Sequence, residues 1–273
     1  MRSIAVGDLT FDVHVEGPED GPPVMLLHGF PETSASWSAV TPLLTAAGLR
    51  VFAPDQRGYS PGARPDGVEA YSTSALAEDV VGLADGLGLD TFHLVGHDWG
   101  SAVAWCVAAH HGSRLRSLTA VSVPHLAAYG RALRDDPDQQ AKGSYIGLLR
   151  QPGKAEALLL DDDARRLRAM YGPHVPTEQV ERYVEHLSRP GALTAALNWY
   201  RAMGPELGSL PAVDVPTTFV WSDEDQAIGR ASADGCAEFV TGDFTYLILP
   251  GVSHWVPEQA PEALAEAIIT RAV

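Results

Sequence analysis

Leu94 to Val103 reads LVGHDWGSAV, and this stretch decides the fold. An apolar run, Phe92 to Val95, meets Gly96; His97, Asp98 and Trp99 follow, and Gly100 opens an Ala-rich apolar segment through Ala109. Gly-x-nucleophile-x-Gly is the sharp strand-to-helix turn in which two glycines permit close backbone packing while the central side chain stands exposed at the sheet edge. Here that central residue is Asp98. A carboxylate with an ordinary pKa near 3.9 is ionised at pH 7 without a base to activate it, and the adjacent helix N-terminus favours its charge. It suits displacement at carbon. The competing role for Asp98 is a plain helix N-cap, which Asp commonly fills.

Outward from this turn, Val24 to Leu27, Arg50 to Pro54 and Phe92 to Val95 are short apolar runs ended by Gly, Pro or Asp, as expected for buried strands of a parallel sheet. Helical periodicity separates them, at Ser36 to Ala47 and Ser74 to Leu87. Strands alternating with helices predict a mostly parallel α/β sheet, with an antiparallel hairpin at one edge around Leu9 to Val15. After the strand-like Leu115 to Val123, about 85 residues turn into charged helical text such as DDDARRLRAMYG and TEQVERYVEHL. Strands resume at Thr217 to Trp221 and Phe244 to Leu249, and an amphipathic helix from Pro257 to Ala272 closes the chain. A connection that long must be a structured insertion. The expected architecture is an α/β core, residues 1–123 and 211–273, with a helical cap over 124–210.

Composition narrows what such a protein can meet. The chain has 273 residues, 35 acidic against 19 basic, for a formal charge of -16, and its two lysines are Lys142 and Lys154. Nucleic acid backbones and anionic membranes are met by Lys and Arg clusters, so neither is an expected partner. With 45% hydrophobic and 20% charged residues the chain reads as an ordinary globular protein. Cys106 and Cys236 form neither a disulfide framework nor a zinc motif. No apolar stretch reaches the 18 or so residues of a membrane span, and the amino terminus lacks a signal core. The expectation is a soluble cytoplasmic protein of unspecified oligomeric state. No metal cluster, phosphate-binding loop or GxGxxG fingerprint is present, so no cofactor is expected.

A hydrolase built on this turn needs an acid and then a His later in the chain, plus oxyanion donors on an early loop. WSDEDQ, after Trp221, supplies Asp225, with Asp223 and Glu224 as competitors; GVSHW supplies His254; HGFPE supplies the early loop. A His with a pKa near 6.5 can act as a general base near neutrality, and a carboxylate partner fixes its tautomer.

Six stretches in register, HGFPETSASW at 28–37, DQRGYSPGARP at 55–65, GHDWGSAVAW at 96–105, LNWYR at 197–201, WSDEDQAIG at 221–229 and GVSHW at 251–255, make the chain resemble the α/β-hydrolase fold epoxide hydrolases with an Asp nucleophile. The resemblance spans nearly the whole chain. It implies that Asp98 attacks an epoxide carbon to give a covalent ester, and that His254, oriented by Asp225, activates the water that hydrolyses it. The backbone N–H groups of Phe30 and Trp99 become the oxyanion donors, and the Phe30–Pro31 bond matches a step that the family holds in cis. Tyr200 in LNWYR and Tyr145 in SYIGLLRQPG match the pair of cap tyrosines that hand a proton to the leaving oxygen. A phenol, with a pKa near 10, is protonated at neutral pH and ready to donate.

His28 resembles a loop brace and Arg57 a structural position. The remaining histidines, among them His93 and His97, read as structural. Trp37, Trp199 and Phe30 are expected to line an apolar pocket for a small apolar epoxide. Trp105 and Cys106 read equally well as plain core. Haloalkane dehalogenases share the Asp nucleophile but often place an Asn at the position of Phe30, and fluoroacetate dehalogenases carry Arg where this chain has Trp99. An ordinary esterase would need Ser at position 98. A non-catalytic binding protein built on the same fold would tolerate loss of these residues, and none is lost.

Overall fold

The apolar runs do pair side by side. In the computed structural model, which describes residues 1–272, the strands are β1 (Arg2–Val6), β2 (Leu9–Glu16), β3 (Pro23–Leu27), β4 (Arg50–Pro54), β5 (Phe92–His97), β6 (Leu115–Val121), β7 (Thr217–Glu224) and β8 (Phe244–Ser253). They form one sheet in the order β1-β2-β4-β3-β5-β6-β7-β8. The β1–β2 and β2–β4 pairs are antiparallel and the rest parallel, so the expected edge hairpin is there.

Side chains alternate across the sheet, as a period of two requires. Along β3, Val24 and Leu26 enter one core cluster, Met25 and Leu27 the other, and all four are fully buried. The first face carries α1 (Thr41–Ala46) and the closing helices. The second carries α2 (Thr73–Gly86) and α3 (Trp99–His111). Every residue of α3 from Trp99 to Ala108 is buried, which explains its apolar character all round.

Between β6 and β7 the described residues are helical: α4 (Leu126–Asp135), α5 (Pro137–Lys142), α6 (Ile146–Leu149), α7 (Lys154–Met170), α8 (Thr177–Leu187) and α9 (Ala192–Arg201). In α8 the buried residues Val180, Tyr183, Val184 and Leu187 fall at i, i+3, i+4 and i+7, a stripe facing its neighbours. Beyond β7 come α10 (Arg230–Asp234), α11 (Val256–Gln259) and α12 (Pro261–Ala272).

Two expected helices are each split in two. Ser36 to Ala47 becomes a 3-10 turn at Ser34–Ser38, capped by the Thr33 hydroxyl, followed by α1 with Pro42 in its first turn, where a missing N–H costs nothing. The closing helix breaks at Ala260 (φ -135°, ψ 51°), because Pro261 drives the residue before it out of the helical region.

Candidate active site

The turn between β5 and α3 holds Asp98 at φ 52°, ψ -120°, a conformation that costs a non-glycine residue about 1–3 kcal/mol. Surrounding bonds hold it there: Asp98 N–H donates to Val121 O at 3.2 Å, and its own carbonyl accepts from Ser101 and Ala102. The flanking glycines are needed for space. A Cβ at Gly96 would run into the Gly100 carbonyl, and one at Gly100 into the Leu27 carbonyl. Asp98 stands at the N-cap position of α3, yet its side chain makes no capping bond. Its carboxylate instead accepts from Phe30 N–H at 2.9 Å and lies 3.3 Å from His254 Nε2. The plain-cap role is therefore set aside.

His254 follows β8, and its Nδ1 lies 2.8 Å from Asp225 Oδ2, just past β7. Asp225 is fully buried, and its other oxygen accepts from Ala227 N–H (2.7 Å) and Ile228 N–H (2.9 Å). Its two competitors point elsewhere: Asp223 and Glu224 are exposed, and Asp223 accepts from Gly251 N–H. Burial by itself disfavours the His254 cation, but the two carboxylates outweigh it and hold its pKa well above 6.5. Burial likewise raises Asp98, and the bond and charge of His254 with the Phe30 N–H more than reverse it, leaving the carboxyl below its usual range. Of the two expected oxyanion donors, Phe30 N–H is on the carboxylate. No bond from Trp99 N–H to it is present. The Phe30–Pro31 bond is cis.

A second polar layer lies behind the His. His97 Nε2 donates to the His254 carbonyl at 2.9 Å, and its Nδ1 lies 3.0 Å from Glu32 Oε2. Burial pushes the His97 pKa down and that of Glu32 up to about 7, while Glu258, raised by burial and by Glu32, takes a hydrogen bond from Tyr183 at 2.9 Å. His97 thus supports the His254 backbone, a role the motif reading left unassigned. His28 braces the early loop as expected: it accepts Gln56 N–H at Nε2, and its Nδ1 faces Gly29 O.

Two cavities, of about 260 and 340 Å³, meet at Asp98, and Tyr145, Tyr200 and Ala227 line both. Tyr145 and Tyr200 stand edge to face at 6.4 Å between ring centroids. Burial first, then neighbouring phenols and the Asp98 charge, raises both phenols well above 10, so both keep their protons. Phe30 lines the larger cavity and Trp99 the smaller.

Trp37 and Trp199 line neither cavity. Trp37 is packed on the far face of the sheet with Val24, Leu26 and Val40. Trp199 lies behind Trp99, edge-on at 5.7 Å, with its indole N–H on Arg57 O. Both differ from the pocket position expected of them, because an aromatic side chain carries no mark in the sequence of which face it occupies. Tyr129, Met203 and Leu159 line the cavities instead, and nothing in their sequence context singles them out. Among the described residues no group of three or more His, Cys, Asp or Glu could hold a metal ion, and no helix is long and apolar enough to cross a membrane.

Strand order, turn and triad together define an α/β hydrolase. Residues 22–261 match the family model for the alpha/beta hydrolase fold. The chain is 35% identical over 268 residues to the AB hydrolase superfamily protein YfhM of Bacillus subtilis, covering 96% of this chain and 93% of that one. It is 32% identical over 301 residues to epoxide hydrolase A of Mycobacterium tuberculosis, covering 93% and 92%. A solved structure described as one of the novel epoxide hydrolases of the alpha/beta hydrolase superfamily in metagenomes from hot environments superposes with a TM-score of 0.89 at 29% identity, covering 100% of this chain and 98% of that one. Epoxide hydrolase A from Mycobacterium thermoresistibile gives 0.86 at 28%, covering 99% and 97%. The chain belongs to the α/β-hydrolase family and, within it, to the epoxide hydrolases.

Proposed function

We propose that the protein converts an epoxide and water to a vicinal diol through a covalent ester on Asp98. One observation carries the reading: an ionised carboxylate, held at φ 52° and not used as a helix cap, shares both cavities with two protonated phenols. A carboxylate attacks carbon. A phenol protonates the oxygen that leaves it.

In the first half-reaction an Asp98 oxygen bonds to one ring carbon and that C–O bond breaks, while Tyr145 or Tyr200 gives its proton to the freed oxygen. Ester formation removes the Asp98 charge. His254 loses one of the two carboxylates that hold its proton, its pKa falls, and it gives that proton up, restoring the phenol ionised in the first step, so that the neutral imidazole can accept a proton from water. In the second half-reaction that water attacks the ester carbonyl carbon, with Phe30 N–H and Trp99 N–H as donors to the developing oxyanion. Collapse breaks the carbonyl C–O(alkyl) bond; the leaving alkoxide takes the proton that His254 drew from water, the Asp98 carboxyl passes its own proton to His254, and the diol leaves with the Asp98–His254 pair restored.

In this reading residues 124–210 form the cap that brings the tyrosines over a core of 1–123 and 211–273, and the substrate is a small, mainly apolar epoxide. The buried thiols Cys106 and Cys236 suit a reducing, cytoplasmic setting. Phe30 has no side-chain donor for a halide, which favours an epoxide over a haloalkane. The test is a panel of mono- and disubstituted epoxides assayed for diol beside bromoalkanes assayed for halide. Diol formation is expected; halide release without diol would overturn the reading. A single turnover in heavy-oxygen water should label the Asp98 carboxylate.

A further inference from the structure

Gln139 is a fully buried amide on the short helix α5, and its three bonds go to one place. Its Nε2 donates to Ala227 O at 2.8 Å, and its Oε1 accepts from Gly229 N–H at 2.9 Å and Ser232 Oγ at 2.6 Å. One turn on, Lys142 donates its ammonium to Asp225 O. All but Ser232 belong to the loop that follows β7 and carries the acid partner of His254. Within that loop the Asp225 carboxylate is itself held by Ala227 N–H and Ile228 N–H, and the Ile228 carbonyl accepts from the Trp221 indole. Helix and loop approach so closely that a Cβ at Gly229 would lie 2.8 Å from Asp138 Oδ2.

We propose that Gln139, assisted by Lys142, is a positioning residue that sets the Asp225 carboxylate against His254, so that docking of α5 on this loop governs ester hydrolysis. The geometry gives the reason. The two N–H groups holding Asp225 Oδ1 belong to residues 227 and 228. Gln139 grips the carbonyl of the first and the N–H that follows the second. Releasing the amide frees those peptides, and the carboxylate turns with them. Asp98, fixed by the β5–α3 turn and by Phe30 N–H, shares none of these bonds. The inference rests on the two-step reading above, and it separates the steps: hydrolysis depends on the clamp and alkylation does not.

The experiment compares the whole protein with Gln139→Leu, Lys142→Met and Lys142→Arg. Rapid quench with intact-mass detection follows formation and decay of the ester on Asp98. Misplacing a catalytic group by about 1 Å costs on the order of a hundredfold, so hydrolysis in Gln139→Leu should fall between about tenfold and about a hundredfold, with alkylation within about threefold. Ester then accumulates. Lys142→Met should show a smaller fall in hydrolysis that Lys142→Arg restores.

A readout without turnover accompanies this: the downfield proton resonance of His254 Nδ1–H should shift or broaden in Gln139→Leu and stay unchanged in Lys142→Arg. Equal loss in both half-reactions, or unaltered hydrolysis with an unaltered resonance, overturns the proposal. If Gln139→Leu does not fold, the Lys142 pair decides by the same measures. If the wild type makes no diol from any epoxide, the functional reading fails, while the resonance still tests the clamp.

Discussion

The β5–α3 turn and the helical stretch between β6 and β7 build one site from opposite kinds of structure. At the turn, position is set by steric exclusion: glycines at 96 and 100, a φ of 52° at Asp98, and backbone bonds to neighbouring strands. In the helical stretch, position is set by packed side chains and a few buried polar bonds, such as Trp199 on Arg57 O and Tyr171 on Pro31 O. The first arrangement tolerates almost no substitution in its motif. The second holds its tyrosines with residues that could be exchanged for others of similar volume. On the proposed mechanism, chemistry at the carboxylate and choice of substrate are therefore separated in the chain.

The sharpest way to break that comparison is to remove the carboxylate that we propose as nucleophile. Asp98→Ala should lower turnover by at least about 10⁴-fold, since residues that form the covalent intermediate act as a unit, while circular dichroism and the thermal midpoint show a folded protein. A folded variant with near-normal diol formation would refute the covalent route. Next, His254→Ala should leave alkylation running and stop hydrolysis, so that intact mass shows one substrate mass added at Asp98. No added mass after epoxide exposure would mean that the two steps are not separable here.

These predictions could be framed from the sequence because the turn writes its geometry in residue types. Gly96 and Gly100 are there for lack of space, and the apolar run before them marks the strand. The mostly parallel sheet follows from the alternation of strands and helices, though the order of its strands does not, and Asp225 and His254 fall just past strand ends. Residues that act through three-dimensional neighbours were less legible. Glu32, within HGFPE, and Glu258 carry no sign that the first is fully buried against His97 and that the second, half-buried, takes the Tyr183 hydroxyl beside it, and Gln139 sits in the charged text DPDQQAK with nothing to mark it as the amide gripping residues 227 and 229. Trp37 is the opposite case: its motif position points to the pocket, and the 3-10 turn that carries it packs it on the other face of the sheet.

Within the helical stretch the expected effects are smaller. Tyr145→Phe or Tyr200→Phe should slow alkylation about ten- to a hundredfold, below the full range of about 10²–10⁴ for a positioned acid, because the second phenol remains. The double variant should lose more than either, and hydrolysis of ester already formed should be little changed. A single variant as slow as the double would assign the proton to one tyrosine. Trp37→Ala, on the far face, should cost about 3–5 kcal/mol of stability in urea titrations and leave kcat/KM of the folded fraction within about twofold, since large-to-small core changes act through packing. Selective loss of activity would return Trp37 to the pocket.

The finest distinction concerns the proton between the turn and its His. In the folded protein the bond and charge of His254 hold the Asp98 carboxyl below its ordinary range, and the two carboxylates hold His254 well above 6.5. For a depressed carboxyl, the linked stability is present above the unfolded value and is lost as pH falls through the lower folded value. For a raised His, it is complete below 6.5 and lost as pH rises through the higher folded value. Both statements describe one ion pair and are counted once. Asp98→Asn keeps the shape and removes the charge, as ester formation does. In that variant the NMR titration midpoint of His254 should move down from its wild-type position, because Asp225 alone then opposes burial. The stability difference between the two proteins should be flat between about pH 5 and 6.5 and change at either end. Its sign is set separately, since Asn also relieves the desolvation of a buried charge. An unmoved His254 midpoint would show that Asp98 does not hold the proton, and the gain of base strength on alkylation would have to come from another source.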